Sequence, residues 1–376
     1  MSKRIFLIAT VIGAVLFSFM LSGSDAMAAR EPVYLVIDTD TGVDDAAALG
    51  WLLSQDRYRY ELLGITTVAG NTTVDNATNN VLTVLDAAGR ADIPVVKGAA
   101  APLNQPLSSM GKLIHGPFGF WYGGLPHDQS GLRTDAPAFL CEQAVAMPGA
   151  KLVTLGPVTN LAQAINQCPA DLANYSEIIM MGGSKTLKTP RGDYNMWQDT
   201  MAADIVLKSG LPLTFMTVEA SEQIGINAEA VGELQASSNP IAQTLAGPLS
   251  FYYGLVSQQG GEDFAPLYDV AAVQYAVRPQ FAKEAEYALV KIVMDPGLAF
   301  GQTIIGNDLD EVIPLVADDA ELSALADAVF ADPFNPDFEL FEMGLGGIFL
   351  REPFNANVIL DVRKNNMNSR FLDELE

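Results

Sequence analysis

Val33-Tyr34-Leu35-Val36-Ile37-Asp38-Thr39-Asp40-Thr41-Gly42-Val43-Asp44-Asp45 runs from an apolar stretch straight into four carboxylates, and an Ala- and Leu-rich segment follows at once. Five consecutive residues rich in Val, Leu and Ile predict a strand at 33–37, buried on both sides. Gly42 permits a tight turn, and residues 45–53 predict a helix. Acidic residues at a helix start cap free N–H groups and suit the dipole, which accounts for one or two of the four. The others would repel one another at a strand end unless a cation offsets them. Oxygen-only ligands of this kind suit calcium or magnesium.

Outward from this stretch the alternation repeats. Residues 62–67, 152–155, 178–181 and 213–218 predict further strands, while 74–88, 161–165 and 201–208 carry helical patterns. Apolar strands separated by helices predict an α/β fold: a mostly parallel central sheet with helices on both faces, open and Rossmann-like. In such sheets the working residues sit at the carboxyl ends of the strands. Two long connections break the rhythm: 99–137, rich in Gly, Pro and aromatics, and 184–200, which carries Lys185, Lys188, Arg191, Asp193, Asn195 and Trp197. Loops of this length are characteristic of binding loops. Residues 222–259 read as helical and lid-like.

Composition excludes several functions. Lys+Arg total 21 against Asp+Glu 45, a formal charge of −24 that repels nucleic acid polymers and anionic membranes. Only two histidines, His115 and His127, are present, which argues against a multi-His zinc site and a Ser-His-Asp triad. His127 reads as surface. Cys141 and Cys168 either pair or remain as free thiols. At the N-terminus, Lys3 and Arg4 precede an apolar run, and Ala26-Met27-Ala28 offers a small-x-small cleavage site. Residues 1–28 therefore predict a signal peptide, with export to a periplasm or the exterior and no membrane anchor after cleavage. Residues 29–376 are expected to form a single catalytic domain.

A strand followed by D-x-D fits two enzyme classes. The haloacid-dehalogenase-like phosphotransferases use D-x-D-x-T, but Gly42 stands where that pattern wants Thr. The nucleoside hydrolases open with D-x-D-x-G-x-D-D, matched here without a gap. Further segments resemble the same family in order: Val68-Ala69-Gly70-Asn71, then Leu155-Gly156-Pro157-Val158-Thr159-Asn160-Leu161-Ala162, then Ile178–Gly183 ending in Met-Gly-Gly. Asp193-Tyr194-Asn195 with Asp199 and Ala202-Ala203 comes next, and Tyr268-Asp269-Val270-Ala271-Ala272 completes the series.

The resemblance implies hydrolysis of the N-glycosidic bond of ribonucleosides with Ca²⁺ held by Asp40, Asp45, Asp269 and the Leu155 carbonyl. Asp40 would be the catalytic base that activates water, and Asp44, Asn71 and Asn195 would hold the ribose diol side. Asp193 would meet the 5′-hydroxyl, Met181 would pack on the sugar, and His115 would approach the base. Two departures stand out. Asp193 is one methylene shorter than the family's usual Glu. Tyr268 replaces the common His and resembles the purine-preferring branch, where an aromatic stacks on the base. Trp121, with Phe118, Phe120 or Tyr122, is the expected partner ring unless these rings are ordinary loop packing. The family often forms homo-oligomers, so self-association is compatible with the resemblance. A secreted nucleoside- or sugar-binding protein without catalysis is the alternative from another class.

Overall fold

The computed structural model describes residues 31–122, 124, 126–186 and 192–375. The expected signal peptide, Lys188 and Arg191 lie outside the described residues. The first half of the chain contributes β1 (Val33–Thr39), β2 (Tyr60–Thr67), β3 (Val95–Lys97), β4 (Lys151–Thr154), β5 (Glu177–Met181) and β6 (Leu213–Met216). Later come the short β7 (Gly225–Ile226) and β8 (Ala265–Pro266). Finally β9 (Ala282–Ile292), β10 (Thr303–Gly306) and β11 (Ala356–Val362) close the series.

Nine of these form one sheet in the order β10-β9-β11-β6-β5-β4-β1-β2-β3. Pairing is parallel from β3 to β11, and β9 and β10 add an antiparallel edge. That hairpin was not anticipated from the sequence. Its longer strand carries exposed polar residues such as Lys283 and Glu284 rather than the apolar runs of the interior strands.

Strand periodicity explains why the sheet is covered on both sides. Leu35 and Ile37 point into one core, and Val36 into the other. Val153 and Leu152, then Ile179 and Ile178, divide in the same way. Each of these side chains is fully buried, so truncating one to Ala is worth about 2–5 kcal/mol. Helices Val43–Leu53, Pro240–Gly260 and Tyr268–Val277 cover the first face. Ala136–Ala146, Thr159–Gln167 and Thr200–Leu207 cover the second. Among the described residues no helix is long and apolar enough to cross a membrane.

The chain lays β1, β2 and β3 outward in one direction, then returns to place β4 on the other side of β1. Connections therefore diverge at the carboxyl ends of β1 and β4, and a crevice opens there. Asp38 stands opposite Thr154 in register, and the Leu155 N–H donates to the Asp38 carbonyl at 2.8 Å. The acidic turn and the Leu155 turn thus begin side by side.

Candidate active site

Asp38 opens the turn but serves the scaffold. Its Oδ1 accepts from the Thr66 hydroxyl at 2.6 Å and the Asn160 amide at 2.7 Å. Burial pushes its carboxyl up to about 6 against those two bonds. Asn160 also donates to the Thr67 carbonyl and accepts from the Ala99 N–H. The Gly-Pro-Val-Thr-Asn segment is thereby clamped to β1 and β2.

Asp45 caps the helix Val43–Leu53 by accepting the Gly42 N–H at 2.8 Å. It also accepts the Thr39 hydroxyl at 2.6 Å and the Asn71 side-chain amide at 3.1 Å. Asp40 accepts the Asn71 backbone N–H at 2.6 Å through Oδ2. Its carboxylate lies so close to Gly70 and Gly156 that a side chain on either would collide with it; a Cβ at Gly156 would stand 2.7 Å from the Asp40 Cγ. Both glycines are there for close approach rather than for an unusual turn.

Asp269, in the first turn of the helix Tyr268–Val277, comes from the far end of the family-like region. Oxygens of Asp44, Asp45 and Asp269 lie within 4.8 Å of one another. Asp40 stands beside this trio, repelled by the charges of Asp45 and Asp44, with its Oδ2 held by the Asn71 N–H. Of the expected ligands Asp40, Asp45, Asp269 and the Leu155 carbonyl, Asp45 and Asp269 belong to this group and Asp40 interacts with it. Leu155 presents its carbonyl to the same pocket, where it accepts the Asn195 amide at 2.6 Å.

The electrostatics of the cluster favour a cation. Asp40, Asp44, Asp45 and Asp269 are all buried. Burial first, and then the Asp45 charge, raises Asp40 and Asp269 well above the ordinary carboxylate range and Asp44 to about 7. Among the described residues lining the pocket there is no Lys or Arg. Asp40 Oδ1 and Asp44 Oδ1 are buried without a hydrogen-bond partner. An all-oxygen donor set with unsatisfied anionic atoms fits a hard divalent cation.

The pocket, about 320 Å³, gathers most of the expected residues: Asp44, Asn71, His115, Leu155, Met181, Asp193, Asn195, Tyr268 and Asp269 all line it. His115 is buried, and burial lowers its imidazole to about 4. Its Nδ1 accepts the Val43 N–H at 3.1 Å, so the neutral ring carries its proton on Nε2. Asn195 donates to the carbonyls of both Leu155 and Met181.

The placements of Trp121 and His127 need correction, and Asp193 lies where it was expected with its oxygens engaged. Trp121 does not line the pocket; it stacks on Phe251 with ring centroids 5.2 Å apart, so it packs loop against helix. Asp193 does line the pocket, but its carboxylate is committed to the backbone. It accepts from Gly183, Asn195 and Met196 N–H groups at 2.8, 3.1 and 3.2 Å, capping the short helix Tyr194–Gln198. Burial nonetheless raises it to about 6. His127, expected at the surface, is largely covered, with Nε2 3.1 Å from the Thr83 hydroxyl.

Sequence reasoning missed Tyr252, Tyr194 and the turn at Gln302-Thr303, which also line the pocket. Tyr252 is delivered by the long helix Pro240–Gly260, stacks on His115 at 5.8 Å, and donates its hydroxyl to the Pro266 carbonyl at 2.7 Å. The aromatic residues of residues 251–253 were the available signal.

A family model described as inosine-uridine preferring nucleoside hydrolase matches residues 35–367. The pyrimidine-specific ribonucleoside hydrolase RihA of Shewanella woodyi is 32% identical over 278 residues, covering 72% of this chain and 87% of that one. The probable uridine nucleosidase 2 of Arabidopsis thaliana is 31% identical over 289 residues, covering 75% and 88%. Among solved structures, the plant nucleoside hydrolase PpNRh1 superposes with a TM-score of 0.74 at 24% identity, covering 92% of this chain and 99% of that one. A purine-preferring ribonucleoside hydrolase from Gardnerella vaginalis gives 0.71 at 21%, covering 91% and 98%. The phosphotransferase reading of the D-x-D turn falls with these matches. With the model spanning every strand of the sheet and the aspartates of its two ends meeting in one pocket, this chain belongs to the inosine-uridine preferring nucleoside hydrolase family and is an N-glycosyl hydrolase.

Proposed function

We propose that the chain cleaves ribonucleosides to ribose and free base with calcium as its ion, that Asp40 is the general base, and that purines are the preferred bases. The observation that carries this reading is the convergence of Asp44, Asp45 and Asp269 beside the unpartnered Asp40 Oδ1. Asp45 and Asp269, with Asp40 or Asp44 and the Leu155 carbonyl, would hold the ion. When bound, it would supply positive charge that offsets the carboxylates and draws oxygen donors of the sugar to the site.

The protein groups do the rest. Asp40 Oδ1 takes a proton from the attacking water, a task suited by its lack of any other hydrogen-bond partner. As the water oxygen bonds to the anomeric carbon, the C–N bond breaks and its electron pair leaves with the base. Buried carboxylates stabilise the positive charge that develops on the sugar. Asp44 and Asn71 hold ribose hydroxyls, and Asn195 fixes the Leu155 carbonyl. Burial pushes the Tyr268 hydroxyl up to about 12, which makes it a poor acid. Its ring therefore acts by stacking, and solvent protonates the departing base. His115, neutral with its proton on Nε2, offers a hydrogen bond to the base.

The ring of Tyr268 supports a purine, whose larger π face gains more from stacking. The pyrimidine-specific relatives favour the second reading, a uridine hydrolase. Chromatography of products from inosine and uridine, each with calcium and with a chelator, tests all parts. Base release that needs the ion and runs faster from inosine is expected. Faster or equal uridine turnover overturns the purine preference, and binding without product release identifies the chain as a catalytically inactive binding protein.

We further propose export to the periplasm or exterior with cleavage after Ala28. The Cys141–Cys168 disulfide supports this, because such bonds persist in oxidising compartments. Sequencing the N-terminus of the mature protein tests it; an uncut Met1 overturns it.

A further inference from the structure

Residues 307–355, between β10 and β11, lie beyond the last family-like motif and form three helices, Leu309–Val316, Asp319–Val329 and Phe338–Phe349. Val312, Val329 and Ile348 are their buried apolar residues, and Gly344 lies against the Leu325 side chain. Cations anchor this bundle. Lys291 donates to the Leu315 carbonyl at 2.9 Å and to Glu352 at 2.7 Å. Arg351 donates to the Val316 carbonyl at 2.7 Å and pairs with Glu321. Lys185 stands 3.4 Å from Glu311.

The loop 330–337 joins the second and third helices. It is closed by the Asp337 N–H, which donates to the Val329 carbonyl at 2.9 Å. This loop and the turn after it concentrate phenylalanine: Phe330, Phe334, Phe338 and Phe341 are 52, 97, 66 and 41% exposed. Soluble surfaces scatter such rings singly, whereas a group of them marks an interaction site. Carboxylates rim the group. Exposed Asp327, Glu339 and Glu342 have no cation paired with them among the described residues. From Asn307 to Asn355 the sequence carries twelve Asp and Glu against a single Arg and no Lys.

We infer that this loop is a docking site for a short, cationic, amphipathic segment of another protein. The segment sets its apolar face on the four rings and its Lys or Arg side chains on the carboxylate rim. Charge selects that occupant. The cations in reach, Lys185, Lys291 and Arg351, already pair with Glu311, Glu352 and Glu321, so the rim is left to a partner. A second copy of this chain would bring a formal charge of −24 and the same acidic rim, and opposed like charges are costly. Area selects a short segment. The exposed parts of the four rings amount to on the order of 500 Å², below the roughly 800 Å² per partner of a stable complex. A few turns of helix with apolar anchors on one side fit a surface of that size. The inference does not depend on which nucleoside is cleaved.

Fluorescence anisotropy with a labelled peptide tests it. The probe is an amphipathic helix of leucine and lysine with its leucines on one face. One control carries glutamate for every lysine, and another carries serine for every leucine. The wild-type protein should bind the probe at least about tenfold more tightly than either control. The Phe334→Ser/Phe338→Ser variant should bind the probe at least about tenfold more weakly than the wild type does. Both side chains are exposed and neither lines the pocket. The variant should therefore keep the wild-type denaturant midpoint, and kcat/KM for the parent nucleoside, inosine or uridine, within about twofold. Equal affinity of the two proteins for the probe would mean that net charge alone attracts it, and overturns the inference. Sedimentation velocity and vesicle binding test the other occupants. A dimer that the two substitutions dissociate would assign the loop to a second copy. Phosphatidylcholine vesicles that retain the wild type but not the variant would assign it to lipid. Either result overturns the inference.

Discussion

The backbone N–H of Asn71 holds Oδ2 of Asp40 at 2.6 Å and leaves Oδ1 buried and unpartnered. One oxygen is fixed and the other is free to take a proton, which is the geometry a base needs. Asp40→Asn keeps an acceptor for Asn71 but removes the basic atom. Its kcat should fall by about 10³-fold or more. The fold should survive, because the change removes one of several mutually repelling buried charges; in chelator the melting temperature should equal or exceed that of the wild type. Retained turnover would assign the base elsewhere.

Asp45 and Asp269 stand on helices whose sequences are more than 200 residues apart, so an ion between them cross-links the fold. Calcium at about 100 times its Kd should stabilise the protein by ~2.7 kcal/mol, read as a rise in melting temperature. Asp269→Asn should abolish most of that rise along with activity. A chelator should abolish turnover, and added calcium should restore it. Activity indifferent to chelation would remove the ion from the mechanism.

Burial lowers His115 from 6.5 to about 4, which makes a signed prediction for pH. The folded protein holds the ring neutral, whereas the unfolded chain protonates it near 6.5. The stabilisation is therefore complete above pH 6.5 and is lost as pH falls toward 4, by roughly 3 kcal/mol in total. Neighbouring carboxylates with raised values act in the opposite sense, so the difference between proteins is the readout. His115→Gln keeps an acceptor for Val43 and cannot be charged. Denaturant titrations at pH 7 and 5 should show a smaller loss in the variant; equal losses would mean His115 is not held neutral.

How far the sequence discloses this site depends on how local each contact is. Asp38 to Asp45, Asn71 and Asp269 were legible because carboxylates at strand and helix starts have fixed positions relative to the sheet edge. The parallel sheet was legible because strands buried on both faces carry unbroken apolar runs. Trp121 was misplaced because an aromatic in a long loop stacks on whichever surface the loop meets, here Phe251. Tyr252 was missed because helical periodicity gives the faces of Pro240–Gly260 but not which turn reaches the crevice. The β9–β10 turn was missed because its contact with Ser184 spans 119 residues and leaves no pattern at either end. Asp193 reaches the pocket at the position its motif gave it, while its three bonds to backbone N–H groups belong to a turn with no local pattern.

The Cys141–Cys168 bridge joins the helix Ala136–Ala146 to the end of Thr159–Gln167, closing a 27-residue separation on the face of the sheet opposite the helix that carries Asp269. Closing a loop of that size in the unfolded chain is worth about 3.5 kcal/mol by chain entropy. Neither cysteine lines the pocket. Replacing both by Ser should therefore lower the unfolding free energy read from denaturant titration by about 3.5 kcal/mol and leave kcat/KM for the parent nucleoside within about twofold. Reductant should destabilise the wild type and not the double variant. If reductant affects both equally, or the substitutions cost nothing, the bridge does not stabilise the fold. If activity falls with stability intact, the two helices reach the site by a route that the contacts do not show.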